Sequence, residues 1–227
     1  MINILLSFWN FADPLLMPEL SRCIKASDKV AMISFAHRPS ADKAAYDEKY
    51  GYGGKQFVYP ALEFMKYGIA REAVSLVHYF DDPRPAMKRK IREADILMFT
   101  GGMPDQVVPR LKEKGIYEDV LSFDKVVMGY SAGAIVQLAR NFLSPDDDYP
   151  ELAYMDGLSL IPDDFYIEVH YDHSDAWEKL LRDIRERESK SVYAIGNEGA
   201  IVVDAARNVR LLGDVSVFGD TPRGRGA

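Results

Sequence analysis

Cysteine is almost missing from this chain. Cys23 is the only one in 227 residues, so no disulfide can form within it, and a structural thiol is the expected role of Cys23. Long apolar runs are missing too. No stretch approaches the roughly 18 consecutive apolar residues of a membrane helix, so no membrane span is expected. Basic charge is in deficit: the net charge is −7 and no basic stripe offsets it, which argues against nucleic acid as a partner. The first apolar run is followed by Ser7-Phe8-Trp9-Asn10 rather than G-x-G-x-x-G, which argues against a dinucleotide site. No basic lead-in precedes Ile2 to Phe8. That segment reads as a first strand rather than a signal peptide, and a cytoplasmic location is the expectation. Internal repeats, linkers and low-complexity segments are also lacking.

What remains is an ordinary globular composition, 48% hydrophobic and 28% charged, of a size that fits one α/β domain spanning residues 1–227. Apolar runs predict strands at Ile2–Leu6, Lys29–Phe35, Ser75–Phe80, Asp95–Thr100 and Val126–Met128. Helical patterns fall between them: from Asp13-Pro14 through Leu15, Leu16, Leu20 and Ile24, over Tyr59–Glu72 with Leu62, Met65 and Ile69 on one face, over Pro85–Glu93, and from Asp105. The alternation implies a doubly wound, mainly parallel sheet flanked by helices. Tyr50 to Gly54 reads as a glycine-rich connector. Beyond Phe142 come an acidic loop (Ser144–Pro150), strands at Leu158–Ile161 and Phe165–Val169, and an amphipathic helix with Trp177, Leu180, Leu181 and Ile184 on one face. Val192–Ile195 and Ala200–Val203 flank an expected turn, Gly196-Asn197-Glu198-Gly199. Val209–Leu212 and Val215–Phe218 predict a C-terminal antiparallel hairpin around Gly213-Asp214, and residues 221–227 a frayed tail.

One stretch carries chemistry. Gly129-Tyr130-Ser131-Ala132-Gly133 fits the G-x-S-x-G nucleophile elbow, in which a strand turns at once into a helix and projects its central serine into a cleft. The glycines keep Cβ atoms out of the crowded turn. The uniformly apolar strand before it, and Ile135, Leu138, Ala139 and Phe142 at helical spacing after it, suit that context. Gly101-Gly102 ends the preceding strand, so the Gly102 and Ala132 amides are the candidate oxyanion donors.

A serine hydroxyl needs a base. Of the four histidines, His78 lies inside a strand run and reads as a core residue, whereas His170 and His173 follow the elbow at a strand-to-helix junction. His37 and Arg38 sit in a loop at the carboxyl end of the sheet, where open α/β folds bind ligands. The orienting acid is open between Glu198 and the Asp146–Asp148 loop. His170-Tyr171-Asp172-His173 lacks a completing ligand cluster, so no metal or other cofactor is expected.

The set Phe99-Thr100-Gly101-Gly102, Gly129-Tyr130-Ser131-Ala132-Gly133-Ala134, Val169-His170-Tyr171 and Gly196-Asn197-Glu198-Gly199 resembles the aspartyl dipeptidase (peptidase E) and cyanophycinase family of serine peptidases. The resemblance runs from the first strand to about Val203. It implies a fold like the class I glutamine amidotransferases, with serine in place of their elbow cysteine. It also implies a triad of Ser131, His170 and Glu198, an oxyanion hole at Gly102 and Ala132 beside Gly101, and a supporting role for Asp146. The expected activity is hydrolysis of a small peptide or isopeptide bond through an acyl-enzyme, by a monomer or small homo-oligomer. Two departures stand out. The dipeptidases place an arginine, suited to an acidic N-terminal residue, in an extended loop after the histidine; here the Trp177 helix follows almost directly. They also usually carry a proline before the glutamate, where this chain has Asn197. The alternatives are a ligand-binding or regulatory protein on the same fold, or an esterase or acyltransferase using the same residues.

Overall fold

The apolar runs become the centre of an eight-stranded sheet in the computed structural model, which describes residues 1–161 and 165–221. Five parallel strands form its core: β1 (Ile2–Leu6), β2 (Val30–Ile33), β3 (Val74–Val77), β4 (Ile96–Phe99) and β5 (Val126–Tyr130). Their order is β1-β5-β4-β2-β3. Residues of β2, β4 and β5 are buried without interruption, because helices cover both faces and leave no solvent side to demand alternation.

On one face pack α4 (Arg84–Glu93), α5 (Val107–Glu113), α6 (Tyr117–Leu121) and α7 (Ala132–Ile135), through Met87, Ile91, Leu111, Val120 and Ala134. On the other lie α1 (Met17–Leu20) and α3 (Lys55–Lys66), through Leu20, Phe57, Ala61 and Phe64. α2 (Lys43–Tyr50) was not foreseen: its only buried side chains are Tyr46 and Tyr50, too few for a clear apolar stripe. Asp42 starts it, accepting the Ala45 amide at 2.9 Å.

Several expectations need correction. α3 begins before Tyr59 and ends at Lys66, and its Leu62 and Met65 face outward, since Phe57, Ala61 and Phe64 fill the sheet side. α1 is a single turn, with Leu15 exposed. The helix after the elbow stops at Ile135. There the Gln137 side chain donates to the Gly133 carbonyl at 3.0 Å and accepts from Asn3 at 3.0 Å, and the chain turns into β6 (Arg140–Leu143), which pairs antiparallel with β7 (Ala153–Asp156). Leu158–Ile161 makes only the isolated bridge Leu138–Ile161.

Past β8 (Phe165–Val169), α8 (Asp175–Glu188) buries Leu181 and Ile184 as the spacing predicts, contributing about 1.5–3 kcal/mol per side chain. The foreseen turn at Gly196–Gly199 is instead the middle of one long strand, β9 (Ser191–Val203), and the hairpin around Gly213 is the middle of β10 (Val209–Phe218). The C-terminal antiparallel pair is therefore β9 with β10, and a bulge between Gly213 and Val215 absorbs the irregularity. β9 pairs in parallel with β8 over its first part and antiparallel with β1 over its last. Residues 196–199 thus pass the ends of β1 and β8, where Ser7 and His170 begin the following loops. Of the expected tail, residues 222–227 lie outside the described residues. No helix among those described is long and apolar enough to cross a membrane.

Candidate active site

The elbow forms where the sequence places it. Ser131 follows β5 and precedes α7, and its backbone takes φ 53° and ψ −120°, a conformation an L-residue adopts only when its surroundings enforce it. They do so here. The Ser131 amide donates to the Leu6 carbonyl at 3.0 Å, and the Ser131 carbonyl accepts from Ala134 and Ile135. The turn is tight enough that a Cβ on Gly129 would lie 2.2 Å from the Gly133 carbonyl oxygen, which is why that position is bare. Tyr130, fully buried, anchors the turn from the other side through a hydrogen bond to Gln56 of α3.

Ser131 opens into a cavity of about 210 Å³ at the carboxyl end of the sheet. Ala132, Gly102 and His170 share its walls, with Asp146, Glu168 and Trp177. Ala132 is the first residue of α7, so its N–H has no partner within the helix. The Gly102 N–H makes no hydrogen bond among the described residues. Gly102 has φ +136°, and a Cβ there would lie 2.1 Å from the Ala36 carbonyl oxygen. Only glycine fits this conformation and this approach. Gly101 lies behind it, packed against the Tyr130 ring and Ser131.

His170 caps β8 with φ 59°. Its amide donates to Ser7 Oγ at 2.6 Å, and that hydroxyl lies 3.4 Å from its Nδ1. The residue sits on the cavity rim. Partial burial of the ring lowers its pKa below the ordinary value of 6.5, and a hydrogen bond from the ring to the Asn197 side chain offsets part of this. The neutral imidazole is thereby favoured, the form that can accept a proton. No hydrogen bond joins Ser131 Oγ to His170 among the described residues. Glu198 comes next to Asn197 in β9 and is exposed. Successive side chains of a strand point to opposite faces, and among the described residues no side-chain hydrogen bond of Glu198 reaches His170.

The other sequence candidates lie as follows. Asp146 is on the cavity wall, and its Oδ1 accepts the Asp148 and Tyr149 amides at 2.7 Å each. Arg38 pairs with Asp148, and Tyr149 donates to Asp105, so the acidic loop is tied down over the cavity from two sides. His37 is not a cavity residue. It is buried among Tyr46, Tyr50, Tyr79 and Phe80, and that burial pushes its pKa down to about 4. His173 is exposed and bonds Asp214 at 2.9 Å. His78 is buried, as read. With Asp47 and Asp81 it makes a metal-like group, but its Nδ1 accepts the Asp81 amide at 3.0 Å, so Nε2 carries the proton and donates to Asp47 at 2.7 Å. Lys43 bridges both aspartates. The carboxylates of that group are thus already engaged by Lys43 and the His78 ring, and the group lies outside the cavity lining.

Two site residues were missed. Asn197 reads in the sequence as a turn residue and a replaced proline, and its orientation toward His170 depends on β9 being continuous. Glu168 is the penultimate residue of β8, two before the histidine, and its place on the cavity wall could be read only from the strand's facing.

Comparison with known proteins bears on the family and the fold. The profile of peptidase family S51 matches residues 55–210. A solved protein assigned as a peptidase E from Listeria monocytogenes EGD-e superposes with a TM-score of 0.59 at 18% identity, covering 97% of this chain and 98% of that one. A peptidase from an acI-B1 Actinobacterium superposes at 0.65 with 15% identity, covering 100% and 95%. At these identities the two structures establish the shared fold. No curated protein sequence matches the chain.

Proposed function

Because this chain belongs to peptidase family S51, we propose that it hydrolyses a small peptide or isopeptide bond through an acyl-enzyme formed on Ser131. Family membership makes it a peptidase of the serine type; the residue roles and the substrate are our reading. The observation that carries it is the strained elbow conformation of Ser131 on the wall of a cavity shared with His170.

In this reading Ser131 Oγ attacks the scissile carbonyl while His170 takes its proton. The Gly102 and Ala132 amides, free of other partners, hold the oxyanion. The C–N bond then breaks and His170 passes the proton to the leaving amine. Water repeats the sequence on the ester, and Ser131 is regenerated. His170 is positioned by Asn197 and Ser7, the groups its ring meets. Glu198, the acid implied by the resemblance, is the competing positioning residue.

A panel of dipeptides and short peptides with free N-termini tests this. Ser131→Ala should lower kcat/KM by roughly 10³–10⁶-fold. Full activity in that variant would overturn the assignment. Asn197→Ala and Glu198→Gln separate the two positioning residues, and the larger loss of kcat identifies the one that holds His170.

A further inference from the structure

The cavity beside Ser131 has a one-sided charge. Glu168 and Asp146 line it, and no lysine or arginine does so among the described residues. Glu168 is the informative member. It is 6% exposed, yet it stands on the wall that Ser131, Ala132 and His170 share. Ser144, also on that wall, donates its hydroxyl to Oε2, and the Val169 amide donates to Oε1 at 3.0 Å. Each oxygen therefore keeps a lone pair. Two neutral donors are poor compensation for a buried negative charge. Burial accordingly pushes the Glu168 pKa up, to about 8, with the Asp146 charge adding to the rise. A cation in the cavity would reverse that balance, because an opposite charge close to the carboxyl favours its ionised form.

Resting on the acyl-enzyme reading above, we propose that Glu168 is a specificity residue: it binds an ammonium group of the substrate, and the peptidase acts on substrates that carry a positive charge beside the scissile bond. Two sources supply that chemistry, a free α-ammonium at the N-terminus and a lysine side chain. An acidic residue in the same place would face Glu168 and Asp146 with no basic partner.

Aminoboronic acids test the proposal without a known substrate, since boron takes an electron pair from an activated serine oxygen. Free-amine boroalanine, N-acetyl-boroalanine, N-acetyl-borolysine and N-acetyl-boroaspartate would compete against fluorophosphonate labelling of Ser131, read by intact mass. In the wild type, boroalanine or N-acetyl-borolysine should compete at about tenfold lower concentration than N-acetyl-boroalanine, as expected for a charged hydrogen bond. Which of the two gains identifies the source of the ammonium. In Glu168→Gln the ratio should fall to about one, with a thermal melt showing that the variant is folded. Ser144→Ala keeps the carboxyl and should keep the ratio. A wild-type ratio near one, a ratio that survives Glu168→Gln or vanishes in Ser144→Ala, or a preference for the aspartate analogue would overturn the proposal. If the fluorophosphonate leaves Ser131 unmodified, the acyl-enzyme reading fails first and this inference with it. If Ser131 labels and the ratio is one, only this inference fails.

Discussion

Replacing Glu168 by glutamine should change how stability depends on pH. The buried carboxyl titrates at about 8 in the fold against an ordinary 4.5. Between those values the folded protein holds a proton that the unfolded chain has lost. Stability must then fall as pH rises. The favourable contribution is complete below pH 4.5 and is gone once pH passes about 8. At about 1.4 kcal/mol per pKa unit, the interval corresponds to a loss on the order of 5 kcal/mol. That figure is an upper bound, because water entering the cavity would solvate the charge. His170 works in the opposite sense: its lowered pKa makes stability rise with pH through the ordinary histidine range. The two effects overlap, so the informative quantity is the difference between wild type and Glu168→Gln at each pH. Glutamine is near in volume, keeps an acceptor for Ser144 and never ionises. Urea unfolding followed by the fluorescence of Trp9 and Trp177, at pH 5, 6, 7 and 8, gives the curves. The wild type should lose several kcal/mol relative to the variant across that range. Parallel curves would refute the reasoning, since they would mean that Glu168 ionises in the fold as freely as in the unfolded chain.

Three further outcomes follow from the same geometry. In Glu168→Gln, which lacks the carboxyl that titrates at about 8, the acid limb of kcat/KM should fall below the ordinary histidine value of 6.5, because partial burial favours neutral His170; a limb above 7 in that variant would contradict the assignment of His170 as base. Gly102→Ala should destabilise the protein by about 2–4 kcal/mol, since it combines φ +136° with a Cβ 2.1 Å from the Ala36 oxygen, and a thermal melt within a degree of wild type would disprove the clash. Leu181→Ala empties a fully buried position under α8 and should cost about 2–5 kcal/mol in urea unfolding, whereas a negligible loss would mean that α8 does not seal the β9–β10 end of the sheet.

Much of the fold was legible because parallel strands covered on both faces have to be continuously apolar. Val30–Ile33, Ile96–Phe99 and Val126–Tyr130 satisfy that rule, and α8 announces itself through Leu181 and Ile184. The elbow was legible for a different reason: its crowding leaves no choice at Gly129. Where the reading failed, long-range contacts outweighed local pattern. The helical spacing from Ile135 to Phe142 is broken by Gln137, whose side chain, besides Gly133, bonds Asn3 and Ile4, far away in sequence. Glycines at 196, 199 and 213 read as turns, but they are places where β9 and β10 approach closely, with Asp214 packed against the first two and the Glu198 carbonyl against the third. The surroundings of His170 were hidden by the same misreading, because a turn at 196–199 gives no rule for which side chain faces inward, whereas a continuous strand does. Glu168 was passed over since it sits in an otherwise apolar strand, and its meaning comes from Ser144 and the cavity.

The central claim is that Ser131 is an activated nucleophile. Intact-mass analysis after fluorophosphonate treatment, on wild type and Ser131→Ala, tests it most directly. The account predicts a single adduct on the wild type and none on the variant. An unmodified wild type, folded by its melt and with a cavity open to the small boronic acids, would contradict it, as would an adduct that persists in Ser131→Ala.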